Sequence, residues 1–170
     1  MMEPHPFVAF LETLGEDRAA LAQLRRGLGQ PPGTVADMYR YVAPWIGPDT
    51  PRRAEDAHYV VAALYAMHPA PGATGDMGDH FRRAARAAPD ATAIERRFTV
   101  LLSAHPDDLP FFLRQAVSFL RSKEVAVNWQ QLFRDLTAWG NPERYVQRNW
   151  ARSYWGPTDD RPTEPNHEEA

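Results

Sequence analysis

The sequence predicts an all-α protein of about eight helices in two packed bundle lobes. Apolar residues recur at helical spacing along most of the chain, no stretch has the alternating β-branched pattern of a strand, and Pro, Gly and Asn punctuate the helices. A first helix is expected over Pro6 to Leu28, with an opportunity to break at Gly15, and Gly29-Gln-Pro-Pro-Gly33 ends it. A second, Thr34 to Ile46, presents Val35, Met38, Tyr39, Val42 and Trp45 as core. Thr50 is the expected cap of a third with Pro51 in its first turn, carrying Ala57, His58, Val61, Leu64 and Tyr65 and ending before Pro69. Pro69 to Asp79 is rich in Pro, Gly, Ala and Thr, which marks the lobe boundary at residue 78. Its Gly72, Gly75 and Gly78 read as a linker, because no strand precedes them to form a phosphate cradle.

The second lobe, 79–155, opens with a short helix over Asp79 to Ala88. Thr92 with Glu95 forms a capping-box pattern for the next, which places Ile94, Phe98, Leu101 and Leu102 on one stripe. Leu109, Phe112, Leu113, Ala116, Val117 and Leu120 keep the strictest helical period in the chain, with Arg114 and Arg121 facing outward. Asn128 caps a helix carrying Trp129, Leu132, Phe133, Leu136 and Trp139, and Asn141-Pro142 begins the last one. On that last helix Arg144, Arg148 and Arg152 oppose Val146, Trp150 and Tyr154. The segment 156–170 is acidic, nearly without apolar residues, and expected to be disordered.

With 170 residues, 44% hydrophobic and 24% charged, the chain suits one domain or two small lobes sharing a core. The absence of cysteine excludes disulfides, thiolate metal sites and a thiol nucleophile. The longest apolar run, Tyr59 to Met67, is too short to span a bilayer, and the first residues lack a signal-peptide pattern, so a cytoplasmic, membrane-free protein is expected. Net charge is −3, but it is unevenly distributed. Residues 1–81 sum to −4, residues 82–152 to +5 and residues 153–170 to −4. A basic C-terminal half hidden by an acidic tail points to an anionic partner. Of the 19 basic residues 18 are arginine, whose planar fork suits phosphate, although nucleotide bias in a genome gives the same excess.

Searches for catalytic patterns come out negative: there is no nucleophile elbow, no Walker loop and no histidine pair at zinc-binding spacing. No enzyme, cofactor or metal is expected. Two rival readings follow from the same residues. One is a helical protein-interaction adaptor whose arginines meet acidic partners, and the other is an enzyme in which His58, His68 and His105 converge. His105-Pro106-Asp107 matches the J-domain tripeptide, but Asp107 is explained as a helix-start acid. Among the five tryptophans, Trp45, Trp129, Trp139 and Trp150 are expected in the core and Trp155 at the surface.

Glu95-Arg96-Arg97-Phe98 with Leu101-Leu102, then Leu113-Arg114, Val127-Asn128-Trp129, Asp135-Leu136, Trp139 and Trp150-Ala151-Arg152 form an ordered set that resembles the CasB family. CasB is the small subunit of the type I-E CRISPR Cascade surveillance complex. Upstream, Leu24-Arg25-Arg26 and Ala62-Ala63-Leu64-Tyr65-Ala66 are compatible with it, whereas Met77 to Phe81 fits only loosely, which leaves Arg82 and Arg83 outside the expected site. The resemblance implies a non-enzymatic two-lobed helical protein, present in two copies beside other Cascade subunits. It would contact crRNA and target DNA and hold the displaced single strand. The residues expected to line its basic groove are Arg25, Arg26, Arg53, Arg96, Arg97, Arg114, Arg121, Lys123, Arg144 and Arg148.

Overall fold

Four of the α-helices start where an Asp or Asn side chain takes up a free backbone N–H group. The computed structural model describes residues 3–158 and contains nine α-helices among them. The expected first helix is two. α1 (Pro6–Thr13) ends at Leu14, and α2 (Arg18–Arg25) begins at Asp17, whose carboxylate accepts from the Ala20 N–H at 3.0 Å. The expected second helix breaks down further, into a 3-10 turn (Ala36–Met38), α3 (Tyr39–Val42) and a second 3-10 turn (Ala43–Trp45) containing Pro44. Proline lacks the N–H needed to continue the ladder. This leaves Trp45 at the surface, 38% exposed and tilted over Phe10, a correction to its expected place in the core.

α4 (Arg52–Met67) is the longest helix among the described residues and follows Pro51 without a side-chain cap. The Thr50 hydroxyl is occupied elsewhere, accepting from the Gly47 N–H at 3.1 Å. α5 (Met77–Arg86) carries a reciprocal capping box between Asp76 and Asp79, so Gly78, read as linker, lies inside a helix. α6 (Ala91–Leu102) is capped by Asp90 and not by Thr92, which sits within its first turn. α7 (Leu109–Ser122) follows the period read from the sequence, and α8 (Trp129–Thr137) is capped by Asn128 as expected. α9 (Tyr145–Trp155) starts three residues after Pro142, because Asn141-Pro142-Glu143 forms a turn that leaves Arg144 at φ 52° before the helix. Residues 159–170 of the acidic tail lie outside the described residues.

One continuous hydrophobic cluster runs from Phe7 to Trp150. α8 packs on α4 and α1, so a C-terminal helix helps close the N-terminal half, and α4 also meets α7. α5 lies against α9, with Gly78 at the closest approach: a β-carbon there would collide with the Trp150 carbonyl and stand 2.8 Å from Ser153 Cβ. Trp150, fully buried, donates its indole N–H to Asp135 at 2.7 Å, while Gln131 donates to the other carboxylate oxygen at 2.9 Å. No helix among the described residues is long and apolar enough to cross a membrane.

Candidate nucleic-acid interface

α6 and α7 pack side by side, and the space between α7 and the Gly27–Gly33 loop is open. A groove of about 960 Å³ is walled on one side by that loop with Tyr59 and Ala63 of α4, and on the other by Arg97, Phe111, Arg114, Ser118 and Phe119. A smaller depression of about 240 Å³ adjoins it through the shared side chains Arg97, Gln115 and Phe119, and it includes Arg96 and Val100. Phe119 organises the charges. The Arg97 guanidinium carbon lies 5.4 Å from its ring centroid and Lys123 Nζ lies 6.0 Å from it, distances at which the ring face attracts a cation. Arg114 extends across the groove to Gly29, which has φ +77° and no side chain; a β-carbon there would stand 2.6 Å from the Arg114 Nη1. The glycine thus supplies both the turn and the space for the guanidinium.

Of the ten expected site residues, all exposed, the structure gathers Arg96, Arg97, Arg114 and Lys123 around these two depressions. Arg121 projects from the Arg114 face of α7, two turns further on, without lining the groove. The other five are not brought in. Arg26 is held by Asp37 at 2.7 Å, and Arg25 donates to the Ala66 carbonyl at 3.4 Å. Arg53 lies against Gly140 in the α8–α9 turn. Arg144 donates to the Leu102 carbonyl at 2.8 Å, and its place ahead of α9 removes it from the ridge expected with Arg148 and Arg152. Among the described residues Arg26 alone of the ten makes an ion pair, and the only acid lining the larger groove is Asp107. Cations left without carboxylates keep their capacity for an external anion. Arg82 and Arg83, set aside on sequence grounds, are used internally: Arg82 donates to the Ser153 and Gly156 carbonyls, and Arg83 to Thr74.

Two groove residues escaped the sequence reading. Phe111 is 61% exposed on the groove rim, and its signal was visible as an aromatic falling off the Leu109–Leu120 apolar stripe. Gly29 was read only as a helix stop.

The three histidines of the enzyme reading each have their own partners. His58 Nδ1 meets the Ala54 carbonyl at 2.6 Å among the rings of His5, Phe7 and Phe133, and burial lowers its pKa. His68 Nε2 meets the Val125 carbonyl at 2.7 Å, and His105 is exposed beside Asp107. The buried His80, which accepts from the Asn128 N–H at 2.9 Å, links α5 to the α8 cap; burial, then Arg83, lowers its pKa to about 4.

The family model for the CRISPR-associated protein Cse2 matches residues 20–155. The chain belongs to the Cse2 family. Over 145 residues it is 41% identical to the CRISPR-associated protein Cse2 of Thermus thermophilus, covering 81% of this chain and 79% of that relative. The crystal structure of CasB from Thermus thermophilus matches with a TM-score of 0.78 and 35% identity over 89% of this chain and 96% of its own. A chain of a structure described as a CRISPR RNA-guided surveillance complex matches with a TM-score of 0.76 and 30% identity, over 87% of this chain and 88% of that one. The Cse2 match includes α6, α7 and the Gly27–Gly33 loop, so the groove lies within the part of the chain that defines the family.

Proposed function

We propose that this chain is the non-catalytic small subunit of an RNA-guided CRISPR surveillance complex. Two copies sit beside other Cascade subunits in the cytoplasm, contact the crRNA and target DNA, and hold the displaced DNA strand. Phosphates would be met first by Arg96, Arg97, Arg114 and Lys123, with Arg121 extending the path along α7. The observation that carries this reading is the collection of four cations around two adjoining depressions that share Phe119, with no carboxylate among the described residues pairing any of them. Similarity to a chain of a surveillance complex supports the assembly context. Sequence would be read by base pairing, and the protein's backbone contacts would tip a nearly balanced strand exchange. A marginal net charge suits a subunit that is recruited by protein neighbours and needs basic character only locally.

Binding to fluorescent single-stranded DNA across a salt series, alone and reconstituted with Cascade subunits, tests the reading. Four neutralised phosphates give a log–log slope of about −3 for a single strand, and a slope of this size is expected in the reconstituted sample. If reconstitution adds protein contacts without salt-dependent DNA affinity, the chain is an adaptor whose arginines belong to protein interfaces.

A further inference from the structure

The groove rim carries an aromatic ring that core packing does not explain. Phe111 is the most exposed of the large apolar side chains among the described residues, at 61%. Its one close ring partner is Phe112, met edge-on at 5.2 Å and 81°, an arrangement that leaves much of the Phe111 surface to solvent. It stands three residues before Arg114, hence on the same side of α7, and both line the larger groove. Ser118 and Ser122 continue that wall, so Phe111 to Ser122 spans about 16 Å of helix.

We propose that Phe111 is a base-stacking platform, which makes the groove selective for an unpaired polynucleotide strand over a duplex. This rests on the basic-groove reading above and adds to it the residue that tells an unpaired strand from a duplex. An arginine pair alone attracts any phosphate chain, single or double. An aromatic beside it distinguishes them, because only an unpaired strand can turn a base face outward to meet the ring. Arg97 and Arg114 then take the phosphates while Phe111 takes a base, and the ring works for any base since every base has a π face. The opposite wall, formed by Pro31 and Pro32, bounds the groove with apolar surface that offers no competing charge.

The test uses the full chain and its Phe111→Ala variant with three probes of equal length: oligothymidylate, an abasic strand carrying the same phosphates, and duplex DNA. An oligouridylate arm distinguishes RNA from DNA as the source of the strand. The wild type is expected to favour oligothymidylate over the abasic strand by about 5- to 150-fold, the range that one stacked base supplies. Phe111→Ala is expected to abolish that preference while leaving abasic binding and the salt slope unchanged. Because the side chain is exposed, the variant is expected to melt with the wild type. A preference that survives Phe111→Ala overturns the platform, and a salt slope still lowered by Arg97→Ala and Arg114→Ala in that case leaves the basic groove standing. Absence of salt-dependent binding to every probe, by the chain alone and reconstituted with Cascade subunits, overturns both. Loss of Cascade-subunit binding by Phe111→Ala, with strand preference intact, assigns the ring to a protein contact and likewise overturns the platform.

Discussion

Replacing Arg97 and Arg114 together by glutamate is expected to weaken single-stranded DNA binding by the assembled complex about 100-fold at roughly 0.1 M salt. The two guanidiniums line one groove from different helices, Arg97 held over Phe119 and Arg114 against Gly29. Reversing both would remove the two proposed phosphate contacts and put two like charges in their place. The first effect lowers the single-strand salt slope by about 1.4, and the second adds repulsion that grows as salt falls. Neither arginine is paired with a carboxylate among the described residues and both are exposed, so the stability change should stay within about 0.5 kcal/mol. The matching control is Arg25→Glu with Arg26→Glu, where Arg26 already serves Asp37. That pair is expected to change affinity less than threefold, although its net charge change is the same. Equal losses from the two double variants would mean that affinity follows overall charge and no groove has been located.

Asp135→Asn is expected to stabilise the protein by about 3 kcal/mol at pH 7 and to have almost no effect near pH 4. Asp135 is buried between Trp150 and Gln131, and burial raises its pKa from 3.8 to about 6 against the opposing hydrogen bonds from those two side chains; nearby Asp76 raises it further, while Arg134 lowers it. Between those two values the folded chain retains a proton that the unfolded chain has released. The Asp135 contribution to wild-type stability therefore falls as pH rises from about 4 to about 6, and the ionised carboxylate remains a cost of about 3 kcal/mol above that range. An amide never ionises; its oxygen accepts from the Trp150 N–H, and its NH2 donates to Gln131 once the Gln131 amide turns its oxygen inward. His80 acts in the opposite sense: its pKa is lowered from 6.5 to about 4, so its contribution is present above pH 6.5 and is lost as pH falls toward 4. Being common to both proteins, that contribution cancels in the difference. Urea midpoints of variant and wild type between about pH 4 and 7 check the expectation, and a constant gap across that range would contradict it.

The contrast between α7 and the Thr34–Ile46 stretch explains what can be read from this sequence. In α7 every stripe position from Leu109 to Leu120 faces one core, and local pattern and tertiary packing agree. Val35, Met38 and Val42 have helical spacing too, yet Pro44 and short 3-10 turns divide the segment, and Trp45 ends outside. The cap at Asn128 is legible in the sequence, whereas the Thr50 hydroxyl is drawn to the Gly47 N–H and Asp90 takes the capping role that Thr92 was expected to fill. The site follows the same rule. Charge counting finds the basic half and nominates Arg96, Arg97, Arg114 and Lys123, but it cannot separate them from Arg26 or Arg144. Those two are claimed by Asp37 and by the Leu102 carbonyl. Arg114 reaches its position because a loop far upstream in the chain turns at Gly29, a relation that no local pattern carries.

Mapping the reactivity of each arginine toward phenylglyoxal, with and without single-stranded DNA, tests whether Arg97 and Arg114 meet nucleic acid. The account predicts that DNA protects Arg97 and Arg114 at low salt and that protection fades as salt rises, while Arg26 and Arg52, each paired with an aspartate, react equally in both samples. Unchanged reactivity of Arg97 and Arg114 with DNA, and protection only when protein subunits are added, would contradict it.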